Sequence, residues 1–189
     1  MPRQVFDFNP PDRFVAGTVG QPGERTFFLQ ASGGGRVTSV ALEKIQVAAL
    51  AERLTELLDE VRRIGDDVDV PDEPPPGMDD LAPLDTPLLE EFRVGTLALA
   101  WDGDTDLVVI EAHAATEGEE AVEPEPLSES EDGPDVLRVR ITAHQARAFV
   151  KRAESVVAAG RPPCPFCGLP LDPAGHVCPR QNGHRAGHW

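Results

Sequence analysis

Phe14-Val15-Ala16-Gly17-Thr18-Val19 is answered further along the chain by Phe92-Arg93-Val94-Gly95-Thr96-Leu97. The match continues in order. Phe27-Phe28-Leu29-Gln30-Ala31 is answered by Val108-Val109-Ile110-Glu111-Ala112. Val40-Ala41-Leu42 leads into a helix with Gln46, as Val139-Arg140-Ile141 leads into one with Gln145. Self-similarity that keeps its order over about fifty residues is the mark of an internal repeat. Each half reads strand, strand, strand, helix. The chain is therefore expected to be α+β, with its two repeats forming one pseudo-symmetric domain and their strands fused into a single six-stranded sheet.

The turns and helix ends agree with this reading. Gly20-Gln21-Pro22-Gly23 and Asp102-Gly103-Asp104 are hairpin connectors between apolar runs, and Ser32-Gly33-Gly34-Gly35 joins the next pair. No Gly-Lys-Ser/Thr follows the glycine triplet, so it reads as a turn and not as a phosphate cradle. From Glu43, apolar positions 47, 50, 54, 57, 58 and 61 form one helical stripe that stops at Gly65. The second helix starts with the capping-box pattern Thr142-Ala143-His144-Gln145 and stripes through Ala146, Phe149, Val150, Ala153, Val156 and Val157 to Gly160.

Charge divides the chain further. Its formal net charge is −16, but residues 65–91 hold ten acidic side chains and residues 117–135 hold nine, with no basic one in either. The remainder carries about +3. The expected organisation is a first repeat over 1–64, an acidic proline-rich connector over 65–91, a second repeat over 92–160 and a tail over 161–189. The connector, with six prolines, reads as exposed and irregular, and 117–135 reads as a flexible acidic loop within the second repeat. Ser128 and Ser130, set among acids, are weak candidates for phosphorylation. Acidic segments of this size repel phosphate, so nucleic acid is not the expected partner of the whole chain. No apolar run approaches the about eighteen residues needed to span a bilayer, and no leader-like segment opens the chain. A cytoplasmic protein with reduced cysteines is expected.

The chemistry sits in the tail. Cys164-Pro165-Phe166-Cys167-Gly168 is followed by His176-Val177-Cys178-Pro179, then by His184 and His188. Two thiols three positions apart, with a third thiol and an imidazole about ten residues on, suit a tetrahedral zinc site. A tail this short lacks a core of its own and needs such a staple. Cys164, Cys167 and Cys178 are expected to ligate zinc. His176 is placed as the fourth ligand, with His184, His188 or water as alternatives. Four protein ligands would make the site closed and structural. The tail would then be a small zinc knuckle or ribbon.

Elsewhere the signals are weaker. Glu111 and His113 alternate with Val109 on one strand face and could line a pocket between the repeats, although a polar outer face is the plainer reading. His144 falls in the first turn of its helix and needs no special role. Arg13, Arg25, Arg36 and Lys44 could form one basic patch, and Arg138, Arg140, Arg147, Lys151 and Arg152 another. The simplest partner for the second is the chain's own acidic loop. Nucleophile-elbow, zinc-protease and dinucleotide fingerprints are all missing from the sequence.

Arg13-Phe14-Val15-Ala16-Gly17-Thr18-Val19-Gly20-Gln21-Pro22-Gly23, Phe27 to Ala31, Leu42-Glu43-Lys44-x-Gln46-Val47 and the ending Cys164-Pro165-x-Cys167-Gly168 through Gly175-His176-x-Cys178-Pro179-Arg180 resemble an actinobacterial family catalogued as a domain of unknown function. The resemblance covers nearly the whole chain apart from the acidic segments. It implies full-length membership and a bacterial cytosolic setting, and it brings no activity. The function expected from the residues is a non-enzymatic zinc-binding regulatory or adaptor protein acting on a protein partner. An enzyme or ligand site near Glu111 and His113, or nucleic-acid binding through the tail, are the alternatives.

Overall fold

The computed structural model describes residues 2–118, 128–130, 132–171 and 175–180. Most of the 117–135 acidic loop, together with His184 and His188, lies outside the described residues. Nine elements follow one another: β1 (Val5–Phe8), β2 (Arg13–Val19), β3 (Thr26–Gly33), β4 (Arg36–Leu42), α1 (Lys44–Ile64), β5 (Glu90–Asp102), β6 (Leu107–Ala114), β7 (Val136–Ile141) and α2 (Ala143–Ala158). The fold is α+β: one mixed sheet of seven strands in the order β1-β7-β6-β5-β4-β3-β2, with two helices.

Two antiparallel meanders, β2–β3–β4 and β5–β6–β7, sit side by side. They join through the parallel pair β4–β5, with α1 forming the crossover between them. The tight turn at Gly34-Gly35 needs glycine twice, since φ is +59° and +76° there. The expected six strands are corrected to seven, because Val5–Phe8 adds to the edge of β7 in parallel.

That extra strand closes the shape. Strands spaced about 4.8 Å apart would hold the edges of a flat seven-stranded sheet about 29 Å apart. Five residue steps separate Phe8 from Arg13 and reach at most about 18 Å. The sheet must curl, and its two halves approach where Arg36 at the start of β4 donates to the Asp7 carbonyl of β1 at 3.2 Å.

The inner face of the curl holds the core. Leu29, Val40, Ile110 and Val139 meet Leu50, Leu54 and Leu58 of α1 and Ala146, Phe149 and Ala153 of α2. Phe14 stacks on Phe149 with ring centroids 4.6 Å apart, which seats α2 over β2. Both helices start with a capping box. Gln46 Oε1 accepts from Glu43 N–H at 2.8 Å, and Gln145 Oε1 accepts from Thr142 N–H at 2.9 Å. At the C-cap of α1, Gly65 fits for lack of room and not for backbone freedom. Its φ is −88°, and an added Cβ would lie 2.8 Å from Val68 Cγ2.

The outer face is covered as well, in part by the 65–91 connector. This segment contains no helix or strand before Glu90, as expected, yet it is clamped and not simply exposed. Gln30 reads the Asp85 backbone with both amide atoms, accepting from Asp85 N–H at 2.7 Å and donating to its carbonyl at 3.1 Å. An added Cβ at Gly17 would lie 2.6 Å from Leu84, so this glycine makes room for the connector. Asp80 accepts from Arg13 Nε at 2.6 Å and from Arg152 at 3.1 Å. The Arg13 hydrogen bond outweighs partial burial and holds the Asp80 carboxyl below its ordinary 3.8.

A carboxyl with a depressed folded pKa stabilises the fold above its unfolded value and loses that contribution as pH falls through the folded one. Asp80→Asn should therefore lower stability by about 1–2 kcal/mol at pH 7 and by progressively less as pH drops below 3.8. Urea midpoints at pH 7 and pH 2.5 check this. An undiminished deficit at the acid end would contradict it.

Candidate metal centre

Two short arms converge at the C-terminal end. In the first, Cys164 N–H donates to the Leu169 carbonyl at 2.7 Å, Leu171 N–H to the Pro162 carbonyl at 2.8 Å, and Pro163 bridges Pro170. These bonds make a small hairpin with Cys164 and Cys167 at its tip. Gly168 has φ +75° and open space where a Cβ would be, so it is the backbone angle that requires glycine. In the second arm Gly175, at φ +119°, precedes His176 and Cys178. Arg180 donates to the Phe166 carbonyl at 3.2 Å and ties the arms together.

Their side chains meet. The sulfurs of Cys164, Cys167 and Cys178 and a ring nitrogen of His176 all lie within 4.8 Å of one another. Cys164 Sγ is 3.8 Å from Cys178 Sγ, and Cys167 Sγ is 3.2 Å from His176 Nε2. Zinc bonds of about 2.3 Å to sulfur and about 2.0 Å to nitrogen give tetrahedral edges of about 3.8 Å and about 3.5 Å. The observed distances are close to these edges, and the four residues could hold a metal ion such as zinc. Backbone N–H groups of Cys167 and Phe166 hydrogen-bond the Cys164 sulfur and bring its pKa down to about 6, which suits a thiolate ligand. Burial pushes the Cys167 thiol up.

Glu111 and His113 are also brought into a cluster, but away from the seam between the meanders, which is β4–β5. On the outer face of β6, Glu111 accepts from Arg138 Nε at 2.6 Å and hydrogen-bonds His113 Nε2 at 3.0 Å. Arg3 approaches His113 Nδ1 at 3.4 Å, and both Arg3 and Arg138 donate to the Ser128 carbonyl. Glu111 and His113 are each 1 % exposed. Burial alone would raise the Glu111 carboxyl; hydrogen bonds from His113 and Arg138, with the Arg138 charge, hold it below its ordinary value. Glu111 and His113 are therefore both paired and covered.

Arg3 is a member that sequence reading missed, because nothing near Pro2 signals a long-range contact. His144 lies 3.4 Å from Asp69, half-buried and not fully solvent-facing. Among the described residues the second basic group pairs with several segments: Arg138 with Glu111 and the Ser128 carbonyl of the acidic loop, Arg140 with Asp7, Arg147 with Asp59 and the Pro71 carbonyl, and Lys151 and Arg152 with Asp79 and Asp80 of the connector. The first group splits. Arg13 joins Asp80 and Arg36 lies over the Phe8 ring, whereas Arg25 and Lys44 share a cleft. Among the described residues no helix is long and apolar enough to cross a membrane.

The family described as "Protein of unknown function (DUF3090)" matches the chain over residues 6–178, a span that includes all four clustered residues. Comparison with curated proteins and with solved structures finds no match.

Proposed function

We propose that this chain, which belongs to the DUF3090 family, is a non-enzymatic regulatory or adaptor protein whose C-terminal segment is folded by a structural zinc ion into a contact surface for a protein partner. The observation that carries this is the convergence of three thiols and one imidazole within 4.8 Å. Four protein ligands fill a tetrahedral zinc and leave no position for water or substrate. The segment also exposes Phe166, Leu169 and Val177, the last at 79 %, apolar side chains that a protein partner would cover.

Cobalt substitution tests the closed site. Co²⁺ bound to the full chain should give intense tetrahedral visible bands that azide and cyanide leave unchanged. Bands that shift on adding either anion would mean an exchangeable fourth position, and would favour catalysis or sensing over a structural role.

The finer division of the body into repeats belongs to the same proposal. We read 1–64 and 92–160 as two copies of one unit, joined by 65–91 and followed by 161–189. Supporting this, each meander is followed by a helix with glutamine at the third position of its capping box. Gln30 lies opposite Ser39 just as Glu111 lies opposite Arg138, and a passing segment covers each pair. The strands of the two halves run in the same sense, so the relation is a shift along the sheet. The reading of Glu111 and His113 as a ligand or enzyme site is less favoured, because both are already paired and covered.

A further inference from the structure

A cleft of ≈ 510 Å³ lies between the β2–β3 turn, the start of α1 and the end of α2, with Pro170 of the metal segment on one side. Three basic side chains line it, Arg25, Lys44 and Arg161, and its described lining includes no carboxylate. This is unexpected in a chain of formal charge −16. Arginines of the body are paired with carboxylates at other places, Arg13 with Asp80, Arg140 with Asp7 and Arg147 with Asp59.

The body residues make the argument. Arg25 donates to the Ala159 carbonyl at 2.6 Å, which fixes its guanidinium at the rim and covers the negative end of α2. Lys44 is the first residue of α1. The carboxylate next to it in sequence, Glu43, is held by Arg93 at 2.8 Å. Two glycines let cations lie close against the backbone. An added Cβ would sit 3.2 Å from Lys44 Nζ at Gly160 and 3.2 Å from Arg161 Cζ at Gly23. Phe27 and Val157 supply an apolar wall.

We infer that this cleft binds a phosphorylated small molecule, with the phosphoryl group at Lys44 and Arg25 and the organic portion along Phe27 and Val157. An ammonium and a guanidinium lining one cleft match phosphoryl oxygens. The volume falls within the about 300–1,000 Å³ usual for small ligands. A nucleic-acid strand is disfavoured, because the flanking acidic segments repel a long polyanion. The inference goes beyond the contact-surface reading and stands mainly on residues outside the metal segment.

Calorimetric titration of the full-length protein with pyrophosphate and with ADP tests it. Saturable binding at one site is expected, weakened at least about tenfold in Lys44→Glu. Lys44 is exposed, so that change leaves the fold intact. Lys151→Glu, which alters a lysine paired with Asp79 elsewhere, should leave binding within about twofold of wild type. ADP should bind more tightly than pyrophosphate if the apolar wall contributes as assigned. A Cys164→Ser variant should still bind, since Lys44 and Arg25 belong to the body; this separates failure of the metal site from failure of the cleft. No saturation up to about 10 mM pyrophosphate, or equal loss in both lysine variants, would overturn the assignment.

Discussion

Glu111→Ala should destabilise the body by about 3–5 kcal/mol, because it strands a buried cation. Arg138 would lose the 2.6 Å bond to its carboxylate and, among the described residues, keep its bond to the Ser128 carbonyl. His113 would lose its 3.0 Å contact in the same step. The penalty arises from removing one member of the pair, not from the pair's own net worth, since desolvation offsets most of the attraction between two buried charges. Replacing both partners, as Glu111→Leu with Arg138→Met, should therefore recover most of the loss. Guanidinium unfolding of the two singles and the double closes the cycle. A Glu111→Ala cost below about 1 kcal/mol would place this network with surface ion pairs and contradict its assignment as a buried structural element.

The second large effect belongs to the cysteines. Cys164→Ser with Cys167→Ser removes two of the four candidate ligands, the pair that the hairpin tip presents. Structural zinc contributes about 10–16 kcal/mol of binding free energy in small modules. The double variant should lose the metal entirely and open 161–180 to protease, while the β1–α2 body keeps its cooperative unfolding. The prediction follows from the contents of the segment. Its hairpin is held by a few backbone bonds, and Phe166, Leu169 and Val177 face solvent instead of packing into a core. A metal-free double variant with a protease-resistant tail would show that the segment folds without the ion.

Local signals carried much of this account. The helix stripes, both capping boxes and the glycine turns rest on interactions between residues a few positions apart, so the linear pattern exposes them. The Cys-x-x-Cys and His-x-Cys pairs are local in the same way, and they come together through a short hairpin and one further turn. What escaped sequence reading was long-range. β1 lies between prolines at 2, 10 and 11, and pairs with β7 across the whole chain. The connector was legible as irregular but not as clamped, because its anchors join Asp80 to Arg13 and Asp85 to Gln30. Gln30 was the available clue: a glutamine in the middle of an apolar strand requires a buried partner. Arg3 offered no comparable signal, since one cation near a terminus is ordinary.

Electrostatics follow the same division. Composition separated the acidic segments from a near-neutral body, but only the fold shows that the connector's carboxylates neutralise α2 and β2. The same pairing leaves Arg25 and Lys44 lining a cleft at the border between body and metal segment.

Elemental mass spectrometry on untagged full-length protein, wild type beside His176→Ala and His184→Ala, tests the central claim most directly. The account predicts one zinc per chain in the wild type and in His184→Ala, with zinc lost or strongly weakened in His176→Ala. Zinc retained undiminished by His176→Ala, or a wild type that takes up none, would contradict a closed site built from Cys164, Cys167, His176 and Cys178.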